Sequence, residues 1–79
     1  MTVLLFGVTR DIVGTGSLSL KETDGLKTVG DLKRHLRDEF PALGELSSLA
    51  VAINQSYARE EDPIHETDEI ALIPPVSGG

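Results

Sequence analysis

The sequence has 79 residues, no cysteine and a formal net charge of −6. A single domain of this size buries roughly 60–65% of its unfolded surface and has no room for a deep active-site cavity, so catalysis would depend on a partner. The lack of thiols excludes disulfides and sulfur ligands for a metal, and the acidic charge disfavours nucleic acid and anionic membranes as partners. A protein partner with a basic surface is favoured instead.

The hydrophobic segments predict neither a membrane span nor a signal peptide. The first apolar run, from Val3 to Val8, is short and has no basic lead-in, and no run approaches the roughly 18 apolar residues of a transmembrane helix. Because a chain without cysteine also suits a reducing compartment, we expect a cytoplasmic protein.

The first two predicted elements are strands joined by a loop. Thr2–Val8 is a run of β-branched and apolar residues, which is typical of a buried strand. Ser17–Leu20 alternates polar and apolar residues with period two, as a half-buried strand does. The segment between them, Thr9–Gly16, contains turn formers and lacks the full glycine-rich fingerprint of a phosphate-binding loop, so we predict a hairpin loop there.

The next predicted element is an amphipathic helix. Thr28, followed by Asp31 three residues later, resembles a capping box, and Pro41 ends the helix because the residue before a proline avoids the α region. Apolar residues recur at spacings of three and four and would form one stripe facing the sheet, namely Val29, Leu32, Leu36 and Phe40.

Three further elements follow the helix. Pro41–Leu49 is predicted to be a loop or a short helical turn whose leucines close the edge of the core. Ala50–Ile53 and Ser56–Ala58 are predicted strands joined by a tight turn at Asn54-Gln55, where asparagine tolerates a positive φ. Ile70–Ile73 is the final strand.

Two features that could suggest a metal site are better interpreted as surface. His35 lies beside the apolar stripe and has no ligand spacing with His65, the other histidine. The charged run Arg59–Asp62 is predicted to be a solvated loop, since a carboxylate site would need converging geometry that a sequence does not show. We therefore predict no metal.

The last residues predict a tail that leaves the final strand abruptly. Pro74 and Pro75 cannot donate a ladder hydrogen bond, so the strand must stop at Ile73 and the chain should leave in an extended conformation. The four residues after them could reach about 13 Å, and Gly78-Gly79 is slim enough to enter a narrow channel. The alternative is an ordinary frayed terminus.

The element order predicts an α+β protein with a β-grasp, or ubiquitin-like, fold. It would have a mixed sheet of about five strands and one main helix on one face, with the first and last strands parallel and adjacent at the centre. Residues 1–75 would form the domain, and residues 76–79 a flexible C-terminal diglycine tail.

Three segments carry a resemblance to a known family. They are residues 3–6 with 10–14, residues 51–55, and residues 68–79, which end in Pro74-Pro75-Val76-Ser77-Gly78-Gly79. The resemblance runs through nearly the whole chain, which is similar to the ubiquitin-like sulfur carriers of the MoaD/ThiS family. The proline-proline-valine-serine run before the diglycine is similar to the MoaD branch, the small subunits of molybdopterin synthase.

The resemblance implies a chemistry for the tail. An E1-like, MoeB-like enzyme would use ATP to adenylate Gly79, next to Gly78, and a sulfur donor would convert the adenylate to a thiocarboxylate. The tail would then enter the large synthase subunit, a MoaE-like protein, and donate sulfur to the cyclic pyranopterin precursor. The chain itself would be a non-catalytic subunit with no bound cofactor.

The resemblance also implies which residues contact the partners. Phe6, Tyr57 and Ile73 match partner-facing positions on the sheet face away from the helix, and the tail residues Pro74, Pro75, Val76 and Ser77 would enter the partner. Phe6 and Ile73 could equally point into the core, because the parity of a strand is not fixed by sequence to within one residue.

Other functions use the same features differently. A carrier for thiazole synthesis shares the fold and the diglycine, and a ubiquitin-like protein modifier would join the activated Gly79 to a lysine amine. A plain binding module would leave Gly79 unused. A stand-alone enzyme is disfavoured by the lack of a cavity and of a nucleophile–base pair.

Overall fold

The computed structural model describes residues 1–21 and 23–75. The elements of this described part, in chain order, are β1 (Thr2–Leu5), α1 (Val8–Val13), β2 (Ser17–Ser19), α2 (Val29–Glu39), a 3₁₀ helix (Pro41–Glu45), β3 (Ala50–Ile53), β4 (Ser56–Ala58) and β5 (Ile70–Ile73). Within these residues, five strands form one mixed sheet in the order β2-β1-β5-β3-β4, and α2 is the longest of three helical segments.

The centre of the sheet is the parallel pair β1 and β5, as the sequence predicts. Leu4 pairs with Ala71 and Leu5 with Leu72 in this register. Strand β3 pairs antiparallel with the other side of β5, and the two edge strands, β2 and β4, are joined antiparallel to β1 and β3. The predicted α+β β-grasp architecture is therefore confirmed, with five strands and one main helix.

Helix α2 begins at a complete capping box. The Thr28 hydroxyl accepts a hydrogen bond from the Asp31 backbone N–H, and the Asp31 carboxylate accepts one from the Thr28 N–H. These bonds satisfy amide groups that have no partner within the helix. Two further amides are bound by carbonyls of the 59–62 loop, Val29 N–H by Asp62 and Gly30 N–H by Glu60.

The core lies between α2 and the inner face of the sheet. Alternate residues of β1 and β5 point inward, because successive side chains of a strand leave on opposite faces. They meet the buried stripe of α2 together with leucines from the following loops. The fully or nearly fully buried members of this cluster include Val3, Leu5, Val29, Leu32, Leu36, Leu43, Val51, Ile70 and Leu72.

The segment after β1 differs from the prediction. The strand ends at Leu5, not at Val8, and the predicted hairpin loop contains the short helix α1. Gly7 turns the chain with φ 55°, and the left-handed Gly14 ends α1 with its N–H on the Arg10 carbonyl. Val8, the last residue of the run that predicted the strand, stands instead at the start of a helix only six residues long.

Other loop predictions hold. The Pro41–Leu49 segment contains the 3₁₀ helix, which is the short helical turn that was one of its two predicted forms. Asn54 and Gln55 both adopt positive φ, 51° and 72°, in the tight turn between β3 and β4. None of the helices in the described parts of the chain is long and apolar enough to cross a membrane.

Candidate docking face and tail exit

A row of side chains crosses the sheet on the face opposite α2. The register places Leu4 of β1 beside Ala71 of β5, Ala71 beside Ala52 of β3, and Ala52 beside Tyr57 of β4. Two alanines therefore occupy the middle of the row, with larger side chains on both sides. The result is an apolar groove of about 430 Å³, which we call the docking groove.

The three predicted partner-facing residues all line the docking groove. Phe6 is 51% exposed and Tyr57 is 75% exposed, which is unusual for aromatic side chains. Ile73 is half-buried and follows the inward-pointing Leu72. Phe6 and Ile73 thus point outward and not into the core, while their binding of a partner remains a prediction.

Five residues that the sequence did not indicate also line the groove. Leu4, Ala52 and Ala71 form its floor and one wall, and Gln55 and Glu69 line it as well. The alternation of β1, β3 and β5 contains the signal for the first three, because they occupy the positions between inward-facing residues. Only the register between strands, however, shows that the two alanines are neighbours.

The polar side of the groove is held by the turn between β3 and β4. The Asn54 side-chain oxygen accepts a hydrogen bond from Glu69 N–H at 2.9 Å, and the Asn54 backbone N–H donates to the Glu69 carbonyl at 2.8 Å. The Asn54 amide also donates to Asp68 at 3.1 Å. These bonds fix the loop before β5 against the turn that carries Gln55.

The tail exit lies beside Phe6. Pro74 and Pro75 follow β5 and are half-buried, and a Cβ built on Gly7 would lie only 3.1 Å from Pro74 Cγ. The prolines therefore leave the sheet against the turn that ends β1. The predicted tail, with Val76, Ser77, Gly78 and Gly79, lies outside the described residues.

The clearest perturbed carboxyls lie away from the docking groove, around the start of α2. Backbone hydrogen bonds from Lys27 and Thr28 hold the pKa of Asp31 below its ordinary value. The hydrogen bond from Lys33, at 2.7 Å, lowers the pKa of Glu60. Both carboxylates stabilise the helix or its neighbouring loop. Their lowered pKa values are therefore explained by a structural role and do not indicate a catalytic site.

A metal centre is not formed by the described residues. Within residues 1–21 and 23–75, no group of three or more histidine, aspartate or glutamate side chains converges on a possible ion. The groove is apolar and carries no nucleophile–base pair among its lining residues. This arrangement is suited to binding another protein next to the point where the tail leaves the sheet.

Comparisons with known proteins find the same fold and identify a family. Residues 3–79 match the ThiS family. A protein of Arabidopsis thaliana named molybdopterin synthase sulfur carrier subunit is 40% identical over 78 residues, covering 98% of this chain and 80% of its own length.

Two solved structures are similar over almost their full length. The crystal structure of SAMP1 from Haloferax volcanii has a TM-score of 0.78 and 30% identity, covering 99% of this chain and 97% of that one. The complex of subunits 1 and 2 of the molybdopterin-converting factor from Helicobacter pylori contains a chain with a TM-score of 0.63 and 28% identity, covering 99% and 96%. The match over residues 3–79, the sequence relative and the shared fold lead to one conclusion: the chain belongs to the ThiS family.

Proposed function

We propose that this chain is a sulfur carrier of molybdenum cofactor biosynthesis, with Gly79 as the residue that carries the sulfur. The observation that carries the proposal is the position of the docking groove directly beside the tail exit on the central strand β5. A partner seated on this groove would receive the tail from a rigid origin. The sulfur-carrier name of the Arabidopsis relative supports the same function.

The carboxylate of Gly79 must be activated before it can carry sulfur. A C-terminal carboxyl has a reference pKa of about 3.3–3.7, so at neutral pH it is an anion and a poor electrophile. In an E1-like, MoeB-like enzyme, a carboxylate oxygen attacks the α-phosphorus of ATP and pyrophosphate leaves. Sulfur from a donor, at the oxidation level of sulfide, then bonds to the acyl carbon and AMP leaves, which yields the thiocarboxylate.

The second half of the reaction takes place in the large synthase subunit, a MoaE-like protein. The thiocarboxylate sulfur bonds to a carbon of the cyclic pyranopterin precursor and displaces an oxygen leaving group. Hydrolysis of the acyl–sulfur bond leaves the sulfur on the precursor and returns the carboxylate of Gly79. The complex of two converting-factor subunits from Helicobacter pylori supports a large subunit as the partner.

The charge distribution supports this division between the subunits. A phosphate-bearing pterin needs a basic pocket, whereas this chain has a net charge of −6 and its docking groove is lined by one charged residue, Glu69. The large subunit would therefore supply the precursor site, and the carrier would supply the sulfur. ATP would be used by the activating enzyme, and the carrier would hold no cofactor of its own.

Intact-mass measurement tests the proposal directly. The chain is incubated with ATP, an E1-like activating enzyme and a sulfur donor, beside a variant that lacks Gly79. We expect a mass gain equal to the exchange of one oxygen for sulfur in the full chain and no gain in the variant. An unchanged mass with an activating enzyme that charges another carrier would refute the sulfur-carrier function.

A second function, protein modification, is favoured by one comparison. SAMP1 belongs with structures named small archaeal modifier proteins, and one of these is 30% identical to this chain. A modifier would use the same adenylate, but a lysine amine would attack the acyl carbon and form an isopeptide bond with release of AMP. Peptide mass spectrometry of the activated chain mixed with cell lysate distinguishes the two, since only a modifier leaves its C-terminal peptide joined to lysines. After trypsin this peptide would be residues 60–79, because Arg59 is the last lysine or arginine of the sequence.

The acceptor separates the remaining functions. A carrier for thiazole synthesis would also acquire the thiocarboxylate but would pass its sulfur to a thiazole-forming enzyme and not to the pyranopterin precursor. A binding module would keep its function when Gly79 is deleted. Incubating the charged chain with the large subunit and the precursor therefore gives the decisive second assay.

A further inference from the structure

We infer that Gly7 is a positioning residue for sulfur transfer. Because Gly7 has no side chain, Pro74 can pack closely against its Cα, and this contact sets the direction of the tail. The inference deepens the proposed function and rests on it. Among the glycines of the described residues, Gly7 is the one whose added Cβ would meet the proline segment, at 3.1 Å from Pro74 Cγ. A carbon pair normally needs about 3.5–4.0 Å, so the proline ring would have to move.

The backbone of Gly7 cannot easily move away in place of the ring. On its N-terminal side, the buried Thr9 hydroxyl accepts a hydrogen bond from Phe6 N–H at 3.0 Å and donates one to the Phe6 carbonyl at 2.6 Å. On its C-terminal side, the Gly7 carbonyl accepts hydrogen bonds from Arg10 N–H at 3.1 Å and Asp11 N–H at 3.4 Å. The turn is held from both sides, so Pro74 is the part that yields.

The base of the tail is equally well held on the strand side. Leu5 pairs with Leu72 in the parallel register, immediately before the turn and the tail respectively. Gly7 and Pro74 each lie two residues beyond this pair. Their contact is therefore the first point after the sheet at which the direction of the tail is set.

If a partner holds the tail extended, a small displacement at Pro74 becomes large at the reacting carbon. Gly79 lies five residues further on, or about 16 Å away along an extended chain. A shift of about 0.3 Å between adjacent Cα atoms about 3.8 Å apart would move the tip by about 1 Å. Misplacement of a reacting group by about 1 Å costs about 100-fold in rate in well-organised sites, and a partner channel that guides the tail would recover part of this loss.

Gly14 provides a control for a positive φ. It adopts φ 93° at the other end of α1, and a Cβ built on it meets no atom within 4 Å. Both Gly7→Ala and Gly14→Ala place an L-residue at a positive φ, but ψ is −133° at Gly7 and 8° at Gly14, so the backbone strain differs, and only Gly7→Ala reaches the proline ring. The comparison in the Pro74→Ala background separates this strain from the contact with the ring. Pro74→Ala removes that ring and leaves the strain at Gly7 in place.

The experiment is single-turnover sulfur transfer from the charged chain to the precursor, with the large subunit in saturating excess. We compare wild type, Gly7→Ala, Gly14→Ala, Pro74→Ala and the double variant Gly7→Ala/Pro74→Ala, and measure the unfolding midpoint and the Kd for the large subunit in parallel. We expect Gly7→Ala to transfer sulfur about 10-fold more slowly than Gly14→Ala, with little change in Kd. In the Pro74→Ala background the effect of Gly7→Ala should fall to within about twofold.

Two results would overturn the inference. One is equal transfer by folded Gly7→Ala and Gly14→Ala, and the other is an undiminished effect of Gly7→Ala when Pro74 is already alanine. If Gly7→Ala does not fold, Pro74→Ala is compared with Pro75→Ala. Equal transfer by these two variants refutes the role of the contact between Gly7 and Pro74. A wild-type chain that docks but transfers no sulfur would instead refute the proposed function, and the inference with it.

Discussion

The two faces of the sheet are formed by the same strands but differ in their burial. The inner face is buried against α2 and leaves almost no side-chain surface accessible. Its core residues on β1 and β5 are Val3, Leu5, Ile70 and Leu72. On the outer face, the alternate residues of these strands form a groove with a floor of alanines and exposed aromatic residues at its sides. The comparison teaches that one face provides the stability of the domain, while the other leaves an apolar surface exposed, where we propose that a second protein binds.

The largest expected effect is on the inner face. Leu36 is fully buried in α2, so Leu36→Ala should lower the free energy of unfolding by about 2–5 kcal/mol, measured by urea denaturation. The affinity of the remaining folded fraction for the large subunit should stay unchanged, because Leu36 lies on the far side of the sheet from the groove. A loss of affinity beyond the loss of folded protein would contradict the separation of the two faces.

The next largest effect is expected at Thr9, a buried residue that fixes the backbone of Phe6 in the docking groove. Its buried hydroxyl binds both backbone groups of Phe6, so Thr9→Val should destabilise the fold by about 1–3 kcal/mol by leaving the Phe6 N–H without its partner. Thr15→Val, at an exposed threonine in the next turn, serves as control and should change the stability by less than about 0.5 kcal/mol. Equal stability of the two variants in thermal unfolding would show that the Phe6 backbone does not depend on Thr9.

On the outer face, Tyr57 should matter for binding and not for folding. Tyr57→Ala should weaken binding to the large subunit by about 1–2 kcal/mol, measured by isothermal titration calorimetry, because exposed aromatic anchors dominate interfaces. Ser56→Ala, on the same strand but on the other side of the alternation, should bind like wild type. Similar affinities for the two variants would place the interface elsewhere.

The smallest effect is a pH dependence that arises at the start of α2. Asp31 has a lowered pKa when folded, so its contribution to stability is complete above its ordinary value of 3.8 and is lost as the pH falls through the lower folded value. Acid unfolding of Asp31→Asn should therefore depend less on pH below about 4 than that of wild type. Asp38→Asn, also on α2 but outside the capping box, is the control, and an equal change in both variants would argue against the capping-box origin.

Much of the inner face could be predicted from the sequence, because its determinants are local. The spacing of Val29, Leu32 and Leu36 and the Thr28–Asp31 pair define α2 without knowledge of any other element. The aromatic residues of the outer face were identified through family resemblance. The sequence alone does not decide whether Phe6 and Ile73 point outward, since the parity of the β1 and β5 runs depends on pairing with the rest of the sheet.

The parts that were not predicted depend on contacts between distant segments. The apolar run Thr2–Val8 resembled one long strand. In the structure Gly7, with φ 55°, turns the chain, and the six-residue helix α1 begins at Val8. The neighbouring positions of Ala52 and Ala71 arise from the β3–β5 register. The contact of Gly7 with Pro74 joins residues 67 positions apart, and neither residue alone indicates it.

The insertion of β5 between β1 and β3 also has a consequence for synthesis of the protein. The two halves of the sheet, β2-β1 and β3-β4, cannot be joined until the ribosome has delivered residues 70–73. Such long-range pairing makes folding wait until β5 has been synthesised. Chains that terminate before residue 70 would therefore lack the central strand that joins the two halves of the sheet and could not complete the fold.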